Sequence, residues 1–140
     1  MKQGEILDFV LQVPLFKGLS TREAAAVCSA MVPRSFERGD VVVHEDDDRG
    51  QTLFVIASGA VDVVVLSSEG KRTNLARMKK GEFFGEMAIL DGEPRSASVI
   101  AAQPCELLML YRRSFLDILR KYPSIAIRML VEMSRRLRRT

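Results

Sequence analysis

The residues best suited to chemistry lie in one stretch, FGEMAILDGEPRSASV, residues 84–99. An acid, Glu86, and an arginine, Arg95, stand nine positions apart in a largely apolar segment. Gly85 lets the backbone come close to a ligand. Residues 86–90, EMAIL, are good helix formers and fit one helical turn. The start of such a turn carries unpaired N–H groups that suit an anion. Glu86 sits at that same start and would repel a phosphate if it faced one. Its carboxylate must therefore point elsewhere, and it is a bidentate acceptor suited to hydroxyl groups such as those of a ribose. DGEP at 91–94 is a turn that brings the chain back. The planar cation of Arg95 matches a phosphate, and the hydroxyl of Ser96 adds a donor. Together these groups could hold a sugar phosphate. A plainer reading fits the same residues: Glu86 and Arg95 form a salt bridge across a loop, and Gly85 is an ordinary turn glycine.

These residues need a scaffold, and the pattern around them predicts one. Residues 4–12 can form a short amphipathic helix with Ile6, Leu7 and Val10 on one side. VPLFKGLS is a break punctuated by Pro14 and Gly18. Ser20 and Glu23 make an S-x-x-E capping box for a second helix, which Pro33 is expected to end. Strand-like runs follow at short intervals: 41–44, 53–57, 61–66, 73–78, 96–101 and 105–111. SGA at 58–60 reads as the turn of a tight central hairpin, and SSEGKR at 67–72 as the loop of a longer one. Short strands at this spacing predict a mainly β sandwich, roll or barrel. Ser114 is expected to cap a helix ending at Pro123. Ser124 is expected to cap a last helix with Ala126, Met129, Leu130, Met133 and Leu137 on one stripe.

Composition bounds the function. The chain has 140 residues and 47% apolar residues, which excludes a disordered chain and predicts a single domain. Its apolar runs are too short to cross a bilayer, and the N-terminus lacks the apolar core of a signal peptide. Cys28 and Cys105 are not spaced as a metal or redox pair, so a cytoplasmic chain with two packed thiols is expected. The net charge of +3 is uneven. Residues 112–140 carry nine Lys and Arg against Asp117 and Glu132, a net +7, which leaves −4 for the other 111 residues. A solvated helix end explains that basic run; an acidic partner or DNA is the sharper alternative.

The segment 84–99 resembles the phosphate-binding cassette of cyclic nucleotide-binding domains. It supplies Phe84, Gly85, Glu86, Met87 and Ala88, then Pro94, Arg95, Ser96, Ala97, Ser98 and Val99 without a gap, with Ile89 in place of the usual leucine. VPLFKGLS resembles that family's N-terminal helical element, FERGDVVVHEDD its early strands, and LFVIASGAVDVVV its central hairpin. The resemblance implies one domain over 1–140: a helical N-terminus (1–33), a β-roll of jelly-roll type (34–111) holding the cassette, and two C-terminal helices (112–140). It implies that Glu86 binds the ribose 2′-hydroxyl. Arg95 would bind the cyclic phosphate, helped by the backbone at Gly85 and Ala88 and by Ser96, with Phe84, Met87 and Ala97 lining the site.

The base is less legible. Relatives that prefer cyclic GMP often carry threonine after the cassette arginine, and Ser96 is equivocal, so cyclic AMP is the expected ligand and cyclic GMP the alternative. By similarity to bacterial catabolite-activator regulators, Thr140 would reach the adenine; Arg138 or Arg139 stacking on the base is the other assignment. The resemblance further implies that ligand draws the cassette helix inward. Phe115, Leu116 and Leu119 would pack as a hinge against Met87, Ile89 and Leu90. Output is expected through a partner or output domain beyond the last helix, as in transcription regulators; a channel or kinase context is the alternative. Leu130, Met133 and Leu137 would suit pairing with a second copy, although packing within the chain explains the same stripe. No direct DNA binding, membrane contact or bound metal is expected.

A cupin-type enzyme would share the barrel but needs several histidines to hold a metal, and only His44 is present. The same lone histidine would have to serve any Ser-His or Cys-His site. The acids at 45–48 read as a solvated loop. The expected protein is a sensor and not an enzyme.

Overall fold

The computed structural model describes residues 1–45, 51–92 and 97–139. The chain forms two compact units: Val32–Arg112, and a second built from both ends, Met1–Met31 with Arg113–Thr140.

The first unit is a roll of two four-stranded antiparallel sheets among the described residues. Its strands are β1 (Val32–Phe36), β2 (Val41–Val43), β3 (Thr52–Ser58), β4 (Ala60–Leu66), β5 (Arg72–Lys79), β6 (Phe83–Phe84), β7 (Ser98–Ala101) and β8 (Cys105–Tyr111). One sheet runs β1-β8-β3-β6 and the other β2-β7-β4-β5. Alternation puts Phe36, Phe54, Ile56, Phe84, Cys105, Leu107 and Met109 of the first sheet against Val61, Met78, Val99 and Ala101 of the second. The mainly β roll with flanking helices expected from the pattern is what forms.

Several boundaries differ from the expectation, each for a physical reason. Pro33 does not end a helix; it lies inside β1, opposite Leu108. β1 borders only β8, and an edge strand tolerates a residue with no N–H to donate. The run around Gly59 is not a hairpin. β3 pairs with β6 and β8, while β4 pairs with β5 and β7. Gly59, at φ 82°, is the single residue over which the chain passes from one sheet to the other. The 67–72 hairpin does form. The Ser67 N–H donates to Lys71 O at 2.9 Å, and β4 and β5 pair from Leu66–Arg72 to Ala60–Lys79.

On the face of β4 turned away from the core, Asp62 is 5% exposed and lies opposite Arg77. Arg77 Nε and Nη2 donate to its two oxygens at 2.8 and 3.1 Å, and Arg72 Nη2 adds a third bond at 3.2 Å. The Arg77 hydrogen bond first, and then the charges of both arginines, hold the Asp62 carboxyl below its usual range against the opposing effect of burial.

The second unit contains α1 (Gln3–Val10), a 3-10 turn at Pro14–Phe16, α2 (Thr21–Ser29), α4 (Arg112–Lys121, whose first residue belongs to the roll) and α5 (Pro123–Arg139). The capping box is present: the Ser20 hydroxyl accepts the Glu23 N–H at 3.1 Å, and Glu23 accepts the Ser20 N–H at 2.9 Å. Ser114 and Ser124 are not caps. α4 begins two residues before Ser114, and α5 begins at Pro123, where a residue without an N–H costs nothing. α5 packs along the 3-10 turn. Its buried line is Ile125 and Met129, with Ala126 and Met133 half-buried. Leu130 and Leu137 are 62% and 76% exposed, so the expected single stripe is two. Ile127 and Val131 extend the exposed one. Among the described residues, no helix is long and apolar enough to cross a membrane. Cys28 and Cys105 are buried free thiols.

Candidate functional site

β6 delivers the chain to the cassette. Phe84 pairs with Phe54 across β6 and β3, and the two rings stack with centroids 4.9 Å apart at 10°. This aromatic pair fixes where the next residue begins. Gly85 follows with φ 95° and ψ −4°, a left-handed conformation that turns the chain directly into α3 (Glu86–Asp91). The helix lies against β3. It closes on a second left-handed glycine, Gly92, whose N–H donates to Ala88 O at 3.1 Å. The turn expected over 86–90 is therefore a short helix one residue longer, bounded by glycines at both ends.

α3 sorts its side chains sharply. Ala88 and Ile89 are buried at 7% and 1% exposure, and Glu86 is buried with them at 5%. Met87 and Leu90 are exposed at 59% and 49%. A carboxylate at that depth is costly unless it is paired or hydrogen-bonded, and Glu86 has such an interaction. Of the residues expected to form a hinge, Phe115 and Ile89 are buried, Leu116 and Leu119 half-buried, and Met87 and Leu90 exposed.

Phe84, Gly85, Glu86, Met87 and Ala88 thus form one continuous β6–α3 unit. Ala97, half-buried, leads into β7. Arg95, Ser96 and Thr140 lie outside the described residues, as do Asp46–Asp48 of the acidic loop. Arg138 is exposed in the last turn of α5. His44 is exposed just past β2 and packs in no strand.

Ser98, a polar residue of the motif, had no role assigned from sequence. Ser98 is 1% exposed, and its hydroxyl accepts the Glu45 N–H at 2.9 Å. The available signal was a polar residue in a position that alternation sends to a buried strand.

Comparison with known proteins agrees with this geometry. The family model described as cyclic nucleotide-binding domain matches residues 33–122. The chain is 37% identical over 125 residues to the cyclic AMP receptor protein of Thermus thermophilus, covering 89% of this chain and 57% of that protein. It is 33% identical over 112 residues to a cAMP-dependent protein kinase regulatory subunit of Hypocrea atroviridis, covering 80% of this chain and 23% of that one. The chain thus spans little more than half the first relative and under a quarter of the second. A solved cyclic nucleotide-binding domain from Methylobacillus flagellatus superposes with a TM-score of 0.81 at 30% identity, covering 98% of this chain and 79% of that chain. The cassette motif, the two-sheet roll and the family match lead to one assignment: this chain belongs to the cyclic nucleotide-binding domain family.

Proposed function

We propose that this chain binds a 3′,5′-cyclic nucleotide, cyclic AMP in preference to cyclic GMP, and acts as one sensor domain rather than as an enzyme. The observation that carries the reading is Glu86: a carboxylate buried at the head of α3, in the register of the motif. In this reading it accepts hydrogen bonds from the ribose 2′-hydroxyl. Arg95 holds the cyclic phosphate, with Ser96 and the backbone at Gly85 and Ala88 beside it, and Phe84, Met87 and Ala97 completing the wall. Arg138 or Thr140 serves the base. A 37% identical relative named a cyclic AMP receptor protein supports the choice of base.

Binding would shift a population between two arrangements of the C-terminal helices by the difference in ligand affinity for the two. The output in this reading is a transcription regulator in the cytoplasm, reached through an output domain or a second copy at α5. The match to a kinase regulatory subunit favours kinase control as the alternative.

Calorimetric titration with cyclic AMP and cyclic GMP tests the reading. Losing one side of a buried charged pair costs about 2–5 kcal/mol. Arg95→Ala is therefore expected to weaken binding by roughly 30-fold to several thousand-fold. Glu86→Ala is expected to weaken it less, and to matter less for 2′-deoxy cyclic AMP. Parental binding by both variants would refute the site.

A further inference from the structure

We infer that Ser98 and Glu45 are positioning residues for nucleotide binding: they form a hydrogen-bonded bracket that fixes the strand carrying the cassette's tail. This inference rests on the function proposed above. Three chain segments meet in the bracket. The Glu45 N–H donates to the Ser98 hydroxyl oxygen at 2.9 Å. The Leu66 N–H donates to the Glu45 carboxylate at 3.0 Å. Ser98 itself stands opposite Val64 in the β4–β7 ladder. The first residue of β7, the end of β4 and the chain leaving β2 are thereby tied at one point.

The bracket supplements an uneven ladder. The β2–β7 register shifts between Val41 and Val43 and its last pair is Val43–Val99, so that ladder does not reach Ser98. A buried hydroxyl with a defined partner fixes it instead.

Its position in sequence gives it a bearing on the ligand. Ser98 lies three residues after Arg95. Three residues span at most about 10 Å, so anchoring position 98 confines where the arginine can start from. The other end of that segment is set by Gly92, the left-handed cap of α3. Releasing the bracket leaves Ser98 held by the β4–β7 ladder alone, which loosens the point from which Arg95 is set and costs binding free energy.

The test uses calorimetry on the whole chain with cyclic AMP, with thermal melts to establish that each variant is folded at the titration temperature. Ser98→Ala is expected to raise Kd about fivefold, equivalent to about 1 kcal/mol. Ser98→Thr keeps the hydroxyl and is expected to restore parental binding. In an Arg95→Lys background the effect of Ser98→Ala should shrink below about twofold, because residues acting through one another are not additive. Ser98→Cys, which keeps the size but leaves only a weak acceptor for the Glu45 N–H, replaces Ser98→Ala under the same criteria if the alanine variant does not fold. A folded alanine variant within about twofold of the parent overturns the inference. So does an equal loss in both arginine backgrounds, or failure of the conservative variant to restore binding. If the parent binds cyclic AMP and loses it with Arg95→Ala while the bracket variants are silent, only this inference falls. If the parent binds no cyclic nucleotide, the proposed function falls and takes this inference with it.

Discussion

Gly59→Ala is expected to be severely destabilising, and the structure separates two causes. The first is conformational. Gly59 has φ 82°, and an L-residue with a Cβ pays about 1–2 kcal/mol there. The second is steric. A Cβ at this position would lie 2.4 Å from Pro104 O, 2.6 Å from Cys105 Cβ and 2.9 Å from Cys105 Cα. Two of these atoms are backbone and cannot swing away. Overpacking of this kind costs about 1–3 kcal/mol. The sum is about 2–5 kcal/mol, which at roughly 3 °C per kcal/mol lowers Tm by about 6–15 °C for a chain of this size. Gly39→Ala isolates the conformational part: its φ is 90°, and nothing lies within 4 Å of a Cβ there. Parallel urea melts of the two variants give the steric part by difference. If Gly59→Ala is no more destabilising than Gly39→Ala, the crowding at the sheet-to-sheet passage is not real and the reasoning fails.

Asp62 predicts an acid-dependent contribution. Its carboxyl is held below the unfolded range, so its stabilisation is present above about pH 4, the unfolded value, and is lost as pH falls through its folded value. Asp62→Asn should thus lower the unfolding midpoint at pH 7, with the gap to the parent narrowing as the pH is taken below about 4; a gap independent of pH would contradict this. Burial pushes both the Cys28 and Cys105 thiols up. Neither is expected to react with a thiol reagent at pH 8 in the native state, while both should react in denaturant; fast native labelling would refute it.

The cassette was the most legible part of the sequence, because its chemistry requires particular residue types in an unbroken order. The capping box at Ser20 was legible for the same reason: two side chains and two backbone groups fix its spacing. What escaped were features set by tertiary context. β1 was missed because Val32, Pro33, Arg34 and Ser35 are all exposed and show no alternation. β6 was missed because two residues make no pattern. SGA looked like a hairpin because local sequence says that the chain turns, not which sheet it turns into. The stripe on α5 was read as one face because Met129 and Leu130 are adjacent, and only packing shows that the first is buried and the second exposed. The burial of Glu86 could not be read at all, since an acid in sequence looks solvated until the fold encloses it.

The helical unit is assembled from the two ends of the chain, with the whole roll, Val32–Arg112, inserted between them. Before the roll forms, bringing α2 and α5 into one unit means closing a loop of about eighty residues, an entropic cost of roughly 4 kcal/mol. The roll meets that cost in its own ladder, because β1 pairs with β8 from Val32–Met109 to Phe36–Cys105 and so closes a loop of nearly the same length. Folding should therefore run in order: the roll condenses first, draws both ends together, and makes the helices' association effectively local. The dependence is one-sided. Whatever loosens the roll returns that loop entropy to the helices, whereas fraying of α1 or α5 leaves the sheet ladders with every partner they had.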